Sequence, residues 1–200
     1  MTWQVDYSHT AIQFSVRHMM ISTVRGEFEK FKIETALDDP QIEKLHAENT
    51  LSEQDFLDAH LTVEIDAASV NTRAADRDTH LRSPDFFNAA EYPTIVFKAT
   101  RGEKIDDKHG KLYGALTIRG ITKPVVLQVE HLGAAKSPWG THSVGFSATA
   151  KINRKDWDLN WNVALETGGW LVSDEIKIEI DIEFTKVPEA QPAEPALATA

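Results

Sequence analysis

No cysteine occurs in the 200 residues, which removes disulfides, thiolate metal ligands and a cysteine nucleophile together. No run of about 18 apolar residues is present either, so nothing reads as a membrane-spanning helix. The opening residues, MTWQVDYSHTAIQF, look like strand and lack the basic and long apolar regions of a secretory signal. A soluble, cytoplasmic protein is the expectation. Positive charge is scarce: 21 Lys and Arg stand against 31 Asp and Glu, a formal net charge of −10. An acidic body repels nucleic-acid phosphate, so nucleic acid is not an expected partner. Enzyme signatures are missing as well. There is no His-Glu-x-x-His helix, no His-x-His pair and no phosphate-loop or dinucleotide glycine pattern, and Gly145-Phe146-Ser147-Ala148-Thr149 lacks the second glycine of a nucleophile elbow. No catalytic residue, metal site or cofactor is expected.

What the chain has in quantity is period-2 alternation. Ile12, Phe14, Val16 and His18 share one strand face, with Gln13, Ser15 and Arg17 on the other. The pattern recurs at Leu61, Val63 and Ile65; at Ile95, Phe97 and Ala99; and at Leu112, Leu116 and Ile118 across Gly114. It returns at Val125, Leu127 and Val129, and at Val144, Phe146, Ala148 and Ala150. The last run is the most regular: Ile176, Ile178, Ile180, Ile182 and Phe184 alternate with Lys177, Glu179, Asp181 and Glu183. Breaker-rich turns fall at 106–110, 119–123 and 137–140. One-sided strands joined by short turns predict an all-β antiparallel sheet with one dry face.

Two segments depart from that pattern. Residues 72–88 begin with a short polar helix that Asn71 or Thr72 caps and Ser83-Pro84 ends, with Arg73, Asp76, Arg77, Asp78, His80 and Arg82 crowded on it, before Phe86-Phe87 and Tyr92-Pro93. Cations beside apolar rings suggest a polar lip over an apolar space. Residues 40–58 read as a helical excursion that starts at Asp39-Pro40, with Ile42 and Leu45 as its apolar stripe and Ser52 with Asp55 as a second start. Residues 187–200, rich in Pro and Ala, read as a disordered tail after a single domain, 1–186.

With so few helices to cover an open sheet, about eight one-sided strands satisfy their apolar faces by closing into a barrel. A barrel of that size either fills with side chains or holds one apolar ligand. His18, in phase with the inward residues, and Trp157, Trp161 and Trp170 around Gly168-Gly169, favour a cavity with a polar rim. Two alternatives stand beside this reading: an enzyme using Arg77, Asp78 and His80 at the barrel mouth, and a solid-core structural or stress protein.

The sequence resembles the YceI-like polyisoprenoid-binding proteins, a family with a lipocalin-like barrel. The resemblance rests on Asp6-x-x-His9 with Ile12-x-Phe14-x-Val16-x-His18, on Val24-Arg25-Gly26-x-Phe28, and on Ile65 to Thr72. It continues through Arg77-Asp78-x-His80-Leu81-Arg82-Ser83-x-Asp85-Phe86-Phe87, Tyr92-Pro93-x-Ile95-x-Phe97 and Gly114-x-Leu116-x-Ile118-Arg119-Gly120-x-Thr122-Lys123. Ile152-Asn153-Arg154-x-Asp156 and Glu175-x-Lys177-Ile178-x-Ile180 complete it, from about residue 3 to 186. Asp158 departs from a position where the family has Gly, and residues 40–60 are longer than its usual connection.

The resemblance implies an eight-stranded, lipocalin-like barrel that carries or stores a long-chain isoprenoid lipid, of the polyprenyl quinone or polyprenyl phosphate type, without catalysis. Ile12, Phe14, Val16, His18, Phe28, Phe86, Phe87, Phe97, Leu116, Ile118, Phe146, Trp157, Trp161 and Trp170 are then expected against the ligand, and His18, Arg25, Arg77, Asn153 and Arg154 at its head group. Burying one CH₂ is worth ~0.8 kcal/mol, but the competing solvent for such a tail is a bilayer that is already apolar. Transfer is then nearly balanced, which suits a carrier in transient membrane contact. A homodimer is the expected assembly.

Overall fold

A computed structural model of the chain describes residues 3–35, 39–52, 61–166 and 168–186. Strands β1 (Gln4–Val5), β2 (Ala11–His18), β3 (Ser22–Phe28) and β4 (Phe31–Thr35) precede helix α1 (Asp39–Glu48). Strands β5 (Leu61–Asp66) and β6 (Val70–Asn71) lead to helix α2 (Ala75–Arg82). Five longer strands follow, β7 (Thr94–Lys104), β8 (His109–Ile118), β9 (Ile121–Lys136), β10 (His142–Asn153) and β11 (Val172–Lys186), with a 3-10 turn at Arg154–Trp157 between the last two. All pairings are antiparallel, in the order β4-β5-β7-β8-β9-β10-β11-β2-β3-β6, with β1 added beside β11.

The sheet curls, and the chain itself joins its two ends. β3 runs into β4 across Glu29 and Lys30, and β5 runs into β6 across a 3-10 turn at Ala67–Ser69. Ladder bonds continue around this corner: Glu29 N–H donates to Ser69 O (3.1 Å) and Asp66 N–H to Lys30 O (2.9 Å). β3–β4 and β5–β6 are thus two bent strands. With each taken as one strand, and the two-residue β1 set aside, the eleven segments reduce to the eight expected. The bend falls where Asp66 accepts from Ala68 N–H and Ser69 Oγ donates to Asp66 O, side-chain bonds that replace ladder bonds in a tight turn.

Alternation decides what faces inward. Ile12, Phe14, Val16 and the row from Ile176 to Phe184 line the interior with Val63, Ile65, Phe97, Leu116 and Ile118. Two glycines let rings lie flat on the wall: a Cβ at Gly26 would stand 2.4 Å from the Phe14 ring, and one at Gly114 2.4 Å from Phe97. The β8–β9 turn is Arg119-Gly120, both at positive φ (50° and 71°), the geometry a two-residue hairpin requires. Asp158, which stands where glycine was expected, takes φ 57°, a left-handed conformation Asp tolerates better than most residues.

The expected helical segments are present with changed details. α1 opens at Asp39 and buries Ile42 and Leu45, as its stripe indicates. The second start proposed at Ser52 and Asp55 falls partly outside the described residues, as do the end of the excursion and the tail 187–200. α2 begins at Ala75, not at 72, and neither Asn71 nor Thr72 is its cap. Asn71 Oδ1 instead accepts from Arg73 N–H, while the Asp78 carboxylate reaches back to Thr72. Among the described residues, no helix is long and apolar enough to cross a membrane.

Candidate functional site

The strands enclose a cavity of about 600 Å³, within the range of small-molecule sites, so the barrel is not solid. Its wall is aliphatic and aromatic along most of its length. The two ends differ. At one, α1 lays Leu45 on the opening and Leu51 follows, joined to Trp3, Ile42, Val144 and Phe184 in a second apolar cluster. At the other, α2, the segment 159–172 and the end of β2 form a mouth. Among the described residues, every ionisable group on the wall is there: His18, Asp76, Arg77, His80 and Arg154.

Arginines hold the mouth together, by donating to backbone oxygens more than by pairing with carboxylates. Arg82 donates to Ala68 O (2.7 Å) and Val70 O (2.9 Å), which fixes α2 to the barrel corner. Arg119 bridges Phe86 O and Asp158 O. Arg154, 2 % exposed, donates to Ser173 O, Leu159 O and Trp161 O and pairs with Asp174 at 3.3 Å. Burial pushes its pKa down, and the Asp174 charge opposes that. A guanidinium satisfies several loop carbonyls at once because its five donors radiate in one plane.

Arg77 is held differently. Its Nε donates to Thr72 Oγ1 (2.7 Å) and one terminal nitrogen to Thr72 O (2.8 Å), and the guanidinium edge stays at the cavity mouth. Thr72 Oγ1 in turn donates to the buried Asp78 carboxylate (2.5 Å). His80 Nε2 lies 2.9 Å from Asp85 Oδ2, and its ring stands edge-on to Phe86 and Trp161, with centroids 5.0 and 4.7 Å apart. Arg77 and Asp78 thus both close on Thr72 while His80 pairs with Asp85, and the three sequence neighbours do not converge on one reacting atom.

Of the residues singled out in the sequence, Ile12, Phe14, Val16, His18, Phe28, Phe86, Phe87, Phe97, Leu116, Ile118, Phe146 and Trp161 stand on the cavity wall, with Arg77 and Arg154 at the mouth. Four stand elsewhere. Trp157 is 1 % exposed behind the wall, its Nε1 donating to Leu116 O at 3.1 Å. Trp170 is exposed to solvent and is not among the residues that line the cavity. Arg25 is on the solvent face of β3, and Asn153 Oδ1 accepts from Lys155 N–H to cap a 3-10 turn. Leu45, Leu51, Thr72 and Asp76 join the wall from outside the set named for the ligand. The α1 stripe was the signal for Leu45 and the crowded polar helix that for Asp76; for Leu51 and Thr72 the tertiary path of the loops decides.

Asp6, His9 and Glu183 also gather, with ligand atoms within 4.8 Å of one another on the outer surface. Bonds from Ser8 and His9 hold Asp6 down at about 2, and these contacts belong to the turn itself.

A family model described as YceI-like domain matches residues 3–184. A UPF0312 protein of Staphylococcus aureus strain N315 is 34 % identical over 181 residues, 90 % of this chain and 95 % of that one. A crystal structure of the Campylobacter jejuni YceI protein aligns with a TM-score of 0.67 at 33 % identity, covering 86 % of this chain and 90 % of that one. A polyisoprenoid-binding domain from Saccharophagus degradans shares the fold at a TM-score of 0.57 and 14 % identity, over 93 % of this chain and 98 % of its own.

Proposed function

The chain belongs to the YceI-like family, and from that premise we propose that its barrel binds a long-chain isoprenoid lipid and carries or stores it without chemical change. The observation that carries this reading is the one-sided polarity of the cavity. A tail would lie along Phe14, Phe97 and the isoleucine row toward Leu45 and Leu51, and a head group would rest near His18, Arg77 and His80. Donors at Arg77 and His80 suit the oxygens of a quinone or a phosphate. Arg154 is a poorer candidate for that role than its position suggests, since its donors hold the loops around it. The polyisoprenoid-binding domain of Saccharophagus degradans, alike in fold, supports a lipid occupant in general terms.

Organic extraction of the freshly purified chain followed by mass spectrometry tests the reading. A stoichiometric isoprenoid is the expected result, and Arg77→Gln should change which head group predominates while leaving total lipid similar. An extract without long-chain lipid, together with no uptake of polyprenyl quinone or polyprenyl phosphate from detergent micelles, would remove the reading.

A further inference from the structure

The β2–β3 turn is built against its own local preference. Met19 and Met20 both take positive φ (50° and 63°), and Ile21 N–H closes the turn on His18 O at 3.2 Å. Such turns favour Asn and Gly, because a Cβ in this conformation meets the backbone. Gly120 follows that preference at one of the two positions of the next hairpin of this end; Met19-Met20 follows it at neither. The turn is also apolar and uncovered, with Met20 71 % and Ile21 80 % exposed. Neither backbone geometry nor core packing accounts for these side chains. Strain combined with exposed hydrophobic surface points to a role outside the fold.

The turn does not stand alone. Met19 N–H donates to Leu171 O (2.9 Å), and Leu171 N–H to Val163 O (2.9 Å), so the loop that carries Val163 and the 55 % exposed Trp170 is bonded directly to the tip. His18, Leu171 and Val172, which line the cavity mouth, connect the two. Behind the tip, Arg17 and Arg25 lie on the outward face of β2 and β3, paired with Thr23 and Ser15, and are exposed. Neither forms an ion pair among the described residues. An apolar tip, a tryptophan and two cations set back from them match the layering of a bilayer surface, where acyl chains, interface and phosphates follow in that order.

We propose that Met19, Met20, Ile21, Val163 and Trp170 form a bilayer-docking rim around the cavity mouth, with Arg17 and Arg25 against lipid phosphates. The proposal rests on the lipid-carrier reading and gives it a route: the tail would pass between membrane and barrel without crossing water. The charge of −10 over the whole chain keeps the rest of the surface away from anionic lipid, so docking is oriented.

Flotation of the full chain with phosphatidylcholine vesicles carrying a minority of phosphatidylglycerol tests the rim. The wild-type chain should float, and Met20→Asp with Ile21→Asp should reduce the bound fraction about ten-fold or more. Met19→Asn with Met20→Gly, which suits the turn, should hold or raise the melting temperature while binding falls several-fold. Both variants should still take up polyprenyl quinone from detergent micelles. Loss of that uptake in every chain, wild type included, would refute the carrier reading instead. Equal flotation of wild type and the Asp variant, or absence of wild-type flotation, would overturn the rim. So would a wild-type dimer that the Asp variant dissociates, because a second copy would then be what covers the patch.

Discussion

The same strands form both ends of the barrel, yet the ends are finished in opposite ways. At the α1 end, apolar side chains from helix and sheet interlock: Ile42 and Leu45 pack with Trp3, Val144 and Phe184. Trp3 bonds to Asp39 and Glu43, and Lys186 bonds to Glu43, so the chain entering β1 and the last residue of β11 are both tied to the helix. At the mouth, cohesion comes from arginines donating to carbonyls, and the rings of Phe86, Phe87 and Trp161 lean on the wall with polar groups among them. A closure made of apolar packing is continuous and excludes polar groups. One made of directed hydrogen bonds can leave a gap and still be stable, because each bond satisfies a carbonyl locally.

The largest effect that could break this contrast is on stability. Leu45→Ala, at a side chain 1 % exposed, should cost about 2–5 kcal/mol in a urea titration. Arg77→Ala, at an exposed position on α2 with two bonds to Thr72, should cost about 1 kcal/mol. The reverse order would mean that the mouth, and not the α1 end, secures the barrel. A mid-sized effect lies between the ends. In Gly114→Ala the new Cβ would stand 2.4 Å from the Phe97 ring and 2.7 Å from Lys98 O. The ring must then move into the cavity and the backbone at Lys98 must give way as well, at about 1–3 kcal/mol, and the amount of extracted lipid should fall.

The smallest expected effect sharpens the contrast through pH. His142 Nδ1 on β10 and His46 Nε2 on α1 are 3.1 Å apart, a bond that needs one proton and one lone pair. Burial pushes the His142 pKa below its ordinary 6.5, helped by the charges of His46, Lys136 and Lys186 and opposed by Glu43. The unfolded chain therefore binds this proton more readily, and stability should fall as pH drops below about 6.5. Hydrogen-exchange protection, taken relative to the intrinsic rate at each pH, should fall in α1 at about pH 5 compared with about pH 8, more than in α2. His142→Asn should flatten that difference; an unchanged profile would show that the histidine pair does not hold the helix.

Much of the molecule could be read before folding was considered. The inward sets on β2, β7, β8, β10 and β11 follow from period 2, because successive residues of a strand face opposite sides whatever surrounds them. The hairpin at Arg119-Gly120 and the start of α1 at Asp39-Pro40 are equally local. Trp157 and Trp170 were not separable by such reasoning: both are tryptophans in one loop-rich stretch, yet the ring of one lies under β8 and the other meets solvent. The same holds for Arg25, Arg77 and Arg154, alike in chemistry and unlike in partners.

The sequence by itself determined an antiparallel barrel with a dry interior, because alternation is a property of the strand and needs no partner to be expressed. Only the tertiary structure decided which end of that interior is polar. His18, Arg77, His80 and Trp161 come from segments 18 to 161 residues into the chain and meet through the closure of the sheet. A contact between residues so far apart depends on where every intervening strand turns, and no local pattern carries that information.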